Sequence, residues 1–210
     1  LAAIAKKYDI FLIFDEVYRE FVYDGATHYS IMQVEGIEQN AIMIDSVSKR
    51  FSMCGARIGW VVSKNKDVMM SVLKFAQARL SPPTYSQIGA ERAFDVSETY
   101  FEEVLREYTQ RRNVLIGELQ KVEGVRVSMP KGAFYCIAEL PVENAEDFCI
   151  WLLDHFSVNN ETVMLAPAEG FYATEGLGRN QVRIAYVLEK GKIVKAIHIL
   201  AEALKEYNKQ

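Results

Sequence analysis

The apolar positions in the first third of the chain form unbroken runs rather than alternating ones. Residues 10–14 and 41–44 are short runs of apolar side chains, and residues 58–62 form a third apolar stretch inside a predicted strand over residues 57–63. A strand that is apolar at every position is typical of a parallel sheet covered on both faces. Apolar residues at helical spacing precede the first run, over residues 1–8. This order of helix and strands predicts an α/β fold.

In the rest of the chain, the pattern predicts helices first and then shorter alternating strands and helices. Pro82 and Pro83 interrupt the helical pattern, and Gly124 ends a long charged helix that begins near Ser97. The predicted helices cover residues 66–78, 86–94, 97–122, 145–156 and 191–207, and the predicted strands cover residues 125–127, 133–140, 163–166 and 181–187. The change of pattern near residue 100 predicts a domain boundary inside the long helix.

Composition narrows the classes of function. The 210 residues carry a formal net charge of -4, with 25% charged and 50% hydrophobic residues, which is typical of a globular protein of one or two domains. The sequence has no basic stripe of the kind that binds nucleic acid, and no apolar run near the roughly 20 residues that span a bilayer. We therefore expect neither a nucleic-acid partner nor a membrane.

Cysteine and histidine usage argues against a metal centre. The three cysteines have no Cys-x-x-Cys spacing and the three histidines have no metal-like spacing, so the sequence predicts neither zinc nor a disulfide framework. Reduced cysteines favour a cytoplasmic location. The chain opens on a helix of the kind that crosses over from an earlier strand, and few parallel-type strands follow it. We therefore expect it to be the C-terminal portion of a longer polypeptide.

The polar segment after the second predicted strand concentrates the candidate chemistry. Ser46, Lys49 and Arg57 lie within twelve residues there. Open α/β sheets bind their ligands just outside the carboxyl ends of the strands. A lysine amine can form a Schiff base with a carbonyl compound, and a hydroxyl with a guanidinium can hold a phosphate. Taken alone, a lysine after a strand is more often a solvated surface residue.

The same segment resembles a family motif. Ser-Val-Ser-Lys, followed eight residues later by Arg-Ile-Gly, is similar to the cofactor-lysine motif of fold-type-I, class I/II pyridoxal-phosphate aminotransferases of the aspartate aminotransferase type. The resemblance implies that residues 1–99 are the C-terminal part of a large α/β domain with a mostly parallel sheet. It implies that residues 100–210 are a smaller α+β domain that includes the long linking helix. The implied cofactor is pyridoxal 5'-phosphate.

The resemblance assigns roles residue by residue. Lys49 would form the Schiff base and act as the catalytic base. Asp15, at the end of the first predicted strand, would pair with the pyridine nitrogen and keep it protonated. Tyr18 would bond the phenolic oxygen of the ring, while Ser46 and Arg57 would bind the phosphate. Two further assignments are weaker: Val17 against the ring is equally well a core residue, and Ser48 equally well satisfies backbone groups.

A second motif lies near the end of the chain. Arg183 follows Gly176 and Gly178 in a pattern similar to the family segment whose arginine binds the substrate α-carboxylate. Alternation in the strand sets Arg183 opposite its apolar neighbours, so it faces either solvent or a cleft. Residues 130–135 and 167–171 also resemble family segments, although the second has Pro-Ala where the family commonly has Pro-Gly.

These resemblances imply transfer of an amino group between an aspartate-like amino acid and a 2-oxo acid, in a homodimer, with no metal. The loop at residues 81–84 would reach the partner's cofactor. Two alternatives stay open. The same fold hosts C–S lyases and decarboxylases that use the same lysine, so the fold does not decide the reaction. Some transcription regulators carry a non-catalytic pyridoxal-phosphate-binding module of this type.

Overall fold

Strand β2 (Ala41–Ser46) is the centre of the first sheet. It pairs in parallel with β1 (Leu12–Asp15) and antiparallel with β3 (Gly59–Val62). The apolar positions 41–44 of β2 are buried or half-buried, which agrees with the predicted strand covered on both faces. The same prediction is wrong for β1, whose positions alternate between half-buried and exposed, with Ile13 65% exposed. Because β1 and β2 run in the same direction, their carboxyl ends, at Asp15 and Ser46, lie at one edge of the sheet.

The computed structural model describes residues 1–209. The chain divides into two compact units, of which the first is Leu1–Glu102 and the second begins at Glu103. The remaining helices that begin in the first unit are α1 (Ala2–Tyr8), α2 (Val47–Arg50), α3 (Lys66–Arg79), α4 (Thr84–Ala93) and α5 (Glu98–Leu119). The elements that follow are β4 (Arg126–Val127), β5 (Tyr135–Glu139), α6 (Ala145–His155), β6 (Ala166–Pro167), β7 (Gln181–Ala185) and α7 (Lys190–Tyr207).

The second unit is built on a four-stranded sheet in the order β4-β5-β7-β6, and every pairing in it is antiparallel. Helices α5, α6 and α7 supply most of its buried apolar side chains, including Leu119, Leu152 and Leu200, each with no exposed surface. The apolar positions of α7 recur at helical spacing, which explains why its buried residues form one stripe.

Two predicted strands are shorter in the structure. The strand expected over residues 57–63 begins only at Gly59, because Arg57 takes a left-handed conformation with φ 57°. The strand expected at residues 163–166 shrinks to Ala166–Pro167. Within residues 1–209, no helix combines the length and apolarity needed to cross a membrane. The same residues hold no cluster of histidine, cysteine or acidic side chains suited to a metal ion.

Candidate active site

The lysine segment begins at the junction between β2 and α2. Ser46 ends the strand in extended conformation, and its hydroxyl accepts a hydrogen bond from the backbone N–H of Ser48 at 3.2 Å. Serine is favoured at this position because it satisfies an N–H group that a helix start leaves without a partner. The strand therefore turns directly into a single helical turn, Val47–Arg50, and Lys49 lies on that turn.

Asp15 and Tyr18 lie at the same sheet edge. Asp15 is in register with Ile44 of the neighbouring strand, and its carboxylate accepts a hydrogen bond from the N–H of Val17 at 3.2 Å. The Asp15 side chain is exposed. The amine of Lys49 lies 6.0 Å from the centre of the Tyr18 ring. The parallel pairing thus brings the Asp15–Tyr18 turn and the lysine segment together.

Arg57 lies on the other side of this junction. Its left-handed backbone closes a short turn, and its guanidinium donates to the carbonyl of Cys54 at 2.7 Å. Non-glycine residues in this conformation carry about 1–3 kcal/mol of strain and are concentrated at functional sites. The turn leaves the guanidinium exposed beside the strand end that carries Ser46.

A cavity of about 530 Å³ collects several predicted residues. Val17, Ser46, Ser48 and Arg57 all line it, with Gly59 in its wall. A β-carbon at Gly59 would lie 3.0 Å from the carbonyl oxygen of Asp45, so this wall has no room for a side chain. Hydroxyl groups beside a guanidinium suit an oxyanion such as a phosphate.

A network of charged side chains joins residues 16–20 to the end of β2 and the lysine turn. Arg50 donates to Asp45 at 3.2 Å and forms an ion pair with Glu20 at 3.0 Å. Arg19 lies 3.9 Å from Asp45 and 3.8 Å from Glu16. The side chains of Asp45 and Glu16 are 1% and 0% exposed. Charges buried this deeply persist in proteins only when they are paired and hydrogen-bonded, so the network ties the two segments together.

Glu16 is the best-satisfied member of the network. The ring Nε2 of His28 lies 2.8 Å from its carboxylate, and the hydroxyl of Ser30 and the N–H of Ile31 donate to it at 2.8 and 2.9 Å. Burial alone would raise the pKa of Glu16, but these hydrogen bonds outweigh burial and hold its pKa below the ordinary value. Glu16 is therefore ionised at neutral pH.

Asp45 has the opposite balance. Burial raises its pKa above the ordinary value, although the N–H of Ser46, at 2.7 Å, and the guanidinium groups of Arg50 and Arg19 oppose the rise. The two oxygens of its carboxylate are divided, because one accepts from the backbone of Ser46 and the other from Arg50. Asp45 thereby connects the end of the strand to the end of the helical turn.

Arg183 belongs to the second unit. It lies on β7 between the buried residues Val182 and Ile184 and is itself exposed, as the strand alternation predicts. Its guanidinium lies 5.4 Å from the ring centre of Tyr135 and 5.1 Å from that of Phe171. Two aromatic faces at these distances restrict the orientation of a guanidinium by cation–π attraction.

The structure brings together most of the predicted residues of the first unit, in two groups. Lys49 lies beside Tyr18, and Ser46 and Arg57 line one cavity. The charged network is what the sequence reading missed. The sequence did contain a signal for this network. Asp45 follows directly on a buried apolar run, and an ionised side chain at such a position needs a charged partner.

The strands and helices of the first unit are those of an α/β protein. Residues 1–200 match the sequence model of the family described as aminotransferase class I and II. The match covers nearly the whole chain, and the chain therefore belongs to this family.

Individual relatives span about twice the length of this chain. An aspartate aminotransferase of Pyrococcus horikoshii is 30% identical over 208 residues, covering 97% of this chain and 51% of that protein. The crystal structure of an aromatic aminotransferase from Pyrococcus horikoshii OT3 superposes with a TM-score of 0.81 at 28% identity, covering 99% of this chain and 54% of that one. A Pyrococcus horikoshii kynurenine aminotransferase, crystallised with PMP and kynurenine, gives a TM-score of 0.83 at 25% identity, covering 98% of this chain and 50% of that one.

Proposed function

We propose that the protein uses pyridoxal 5'-phosphate to transfer an amino group between an aspartate-like amino acid and a 2-oxo acid. Family membership supports the reaction class, and relatives named as aspartate aminotransferases support the substrate class. The observation that carries the proposal is the convergence of Lys49, Tyr18, Ser46 and Arg57 at the carboxyl end of one parallel strand pair.

The residues present fit this cofactor. Ser46 and Arg57 would hold the phosphate in the 530 Å³ cavity, whose lining also includes Gly59. Arginine suits this task because its planar donors match the geometry of phosphate oxygens. Asp15 would pair with the ring nitrogen, and Tyr18 would donate to the ring oxygen. When bound, pyridoxal phosphate supplies the electron sink that makes the α-proton of an amino acid acidic.

Lys49 has two tasks under this proposal. Its amine is the group that attaches the cofactor covalently, and it then moves the proton at the substrate α-carbon. The nitrogen of a base must lie within about 3 Å of the atom that carries the proton it takes. The Tyr18 ring, 6.0 Å from the amine, is one of the groups that confine where the amine lies.

Arg183 is the residue that we assign to the substrate α-carboxylate. A guanidinium held between Tyr135 and Phe171 is ordered before it meets a carboxylate, which lowers the entropy cost of binding. Changing Arg183 to alanine should raise the KM for both substrates about 10- to 100-fold, the equivalent of losing charge-assisted hydrogen bonds. Arg126→Gln, at a side chain 81% exposed, is the matched control and should change KM little.

The test of the function uses the full-length protein reconstituted with pyridoxal phosphate. Borohydride reduction followed by peptide mass analysis should find the cofactor on Lys49, and L-aspartate with 2-oxoglutarate should give oxaloacetate and glutamate. Lys49→Ala should abolish both signals, whereas Lys74→Ala, at an exposed position of α3, should abolish neither. Cofactor retained covalently in Lys49→Ala would refute the assignment. Release of sulfide from L-cysteine would indicate a C–S lyase, and conversion of L-aspartate to alanine without consumption of 2-oxoglutarate would indicate a decarboxylase.

Three narrower expectations stay predictions. They are homodimeric assembly, a cytoplasmic location, and the division into a large-domain part over residues 1–99 and a small domain over residues 100–210. Sedimentation of the full-length protein tests the first. Partial proteolysis near residue 100 tests the third.

A further inference from the structure

Helix α2 cannot hold its own geometry. It has four residues, Val47–Arg50, whereas isolated helices shorter than about 12 residues are marginal in water because the first turn fixes several dihedrals for one hydrogen bond. Contacts outside the turn must therefore decide which way its side chains project. Lys49, whose direction matters most for the proposed function, lies on this turn.

Two side chains anchor the turn. Val47 has no exposed surface and packs in a cluster with Phe51 and Ala90. The Arg50 side chain is 12% exposed, donates to Asp45 and forms an ion pair with Glu20. Residues three apart lie on the same face of a helix, so Val47 and Arg50 attach one face of the turn to the protein.

Lys49 projects from a different face. Successive residues of a helix are rotated by about 100°, so the neighbour of Arg50 cannot point where Arg50 points. With Arg50 bound to two carboxylates, the turn cannot rotate about its axis without breaking both contacts. Lys49 is then held toward Tyr18, whose own segment carries Glu20 only two residues further on.

We infer that Arg50, clamped between Asp45 and Glu20, is a positioning residue that sets the direction of the Lys49 amine and its distance from the Tyr18–Glu20 turn. The expected effect of Arg50 on catalysis rests on the proposed function. The orientation of Lys49 by Arg50 does not, because it involves only side chains of this chain. Arg50 acts through Lys49 and not on the substrate.

Both carboxylates meet the same terminal nitrogen of Arg50, which lies 3.2 Å from Asp45 and 3.0 Å from Glu20. A lysine at this position would bring a compact charge on a more flexible chain, which fixes the direction of the turn less firmly than a planar guanidinium does. Arg50→Lys should therefore keep the charge and only part of the positioning.

The first experiment needs no cofactor. Lysines of the cofactor-free full-length protein are reductively methylated with ¹³C-formaldehyde, and the Lys49 signal is assigned by its loss in Lys49→Arg. In the parent protein this signal should be shifted from the bulk of the lysines. In Arg50→Gln it should move to the position of the exposed lysines, and in Arg50→Lys it should lie between the two. An unchanged Lys49 signal in Arg50→Gln would overturn the inference.

The second experiment measures the loaded enzyme. Misplacing a catalytic group by about 1 Å can cost on the order of 100-fold in rate, so Arg50→Gln should lower kcat about 10- to 100-fold while KM changes less than about threefold. Asp45→Asn removes the charge while keeping the side-chain shape, and should lower kcat in the same direction. If Arg50→Gln lowers both kcat and the melting temperature while the Lys49 signal does not move, the role of Arg50 is purely structural and positioning is refuted.

A matched control separates charge loss from position. Arg92 pairs with Asp95 at 3.3 Å on the surface of the same unit, with side chains 80% and 68% exposed. Arg92→Gln should leave the Lys49 signal and kcat unchanged. If the parent protein never attaches the cofactor, the proposed function fails, while the methylation experiment still decides whether Arg50 orients Lys49.

Discussion

Glu16 offers the most direct test of the buried network, because truncating it leaves several donors without an acceptor. Its side chain is 0% exposed and accepts from Ser30, Ile31 and His28 at 2.8, 2.9 and 2.8 Å. Glu16→Ala removes all three acceptor contacts and leaves a hydroxyl, an amide and an imidazole facing an empty space. Glu16→Gln keeps the shape and one carbonyl oxygen but loses the charge.

The magnitude follows from the number and kind of these contacts. A hydrogen bond to a charged group contributes about 1.5–3 kcal/mol, and removing one partner of a buried ion pair costs about 3–5 kcal/mol because the remaining group stays unpaired. The three contacts of Glu16 share one carboxylate, so their energies do not add. We expect Glu16→Ala to lower the free energy of unfolding by about 3–5 kcal/mol and Glu16→Gln by about 1–3 kcal/mol.

Two measurements check this expectation. Urea unfolding followed by circular dichroism gives the free energy of unfolding, and hydrogen exchange of the Ile31 amide reports the local loss. The pH dependence of stability gives a further check, because its direction follows from the pKa shift of Glu16. The folded-state pKa of Glu16 lies below its ordinary value of 4.5, so its stabilisation is complete above the unfolded-state pKa and is lost as pH falls through the folded-state pKa. The parent protein should therefore lose more stability in acid than Glu16→Gln.

Two results would contradict the reasoning. A Glu16→Ala protein within about 0.5 kcal/mol of the parent, the range of ordinary surface substitutions, would mean that the carboxylate contributes nothing net. A stability difference between parent and Glu16→Gln that grows as the pH falls below 4.5 would reverse the predicted direction of the pKa shift.

Three further predictions concern packing, backbone and thiol chemistry. Leu119→Ala should destabilise the protein by about 2–5 kcal/mol in urea unfolding, whereas Leu153→Ala, at a side chain 51% exposed, should cost clearly less. Gly178→Ala should lower the melting temperature more than Gly25→Ala, because both have positive φ but only at Gly178 would the new β-carbon collide with a tyrosine ring. Alkylation of the native protein should label Cys54 alone, since the other two cysteines are buried and their thiol pKa values are raised by burial to about 12 and about 11; labelling of all three without denaturant would contradict this.

The local sequence carries much of the site. Ser46 ends an apolar run and starts a helical turn, and serine has this preference in any context. The apolar run before Asp45 specifies a buried strand, and parallel pairing with the strand before it brings both strand ends to one edge. These features depend on residues close together in the chain, so the motif around Lys49 and the α/β class could be predicted without coordinates.

Only the tertiary structure shows the contacts between residues that are far apart in the sequence. Nothing local shows that Arg50 bonds Glu20, thirty residues earlier, or that Glu16 binds His28 and Ser30. The left-handed backbone at Arg57 likewise makes β3 begin at Gly59, later than the strand predicted from residue 57. Helix and strand propensities act over a few neighbours, whereas the pairing of buried charges depends on which segments the folded sheet places side by side, and only the three-dimensional structure specifies that.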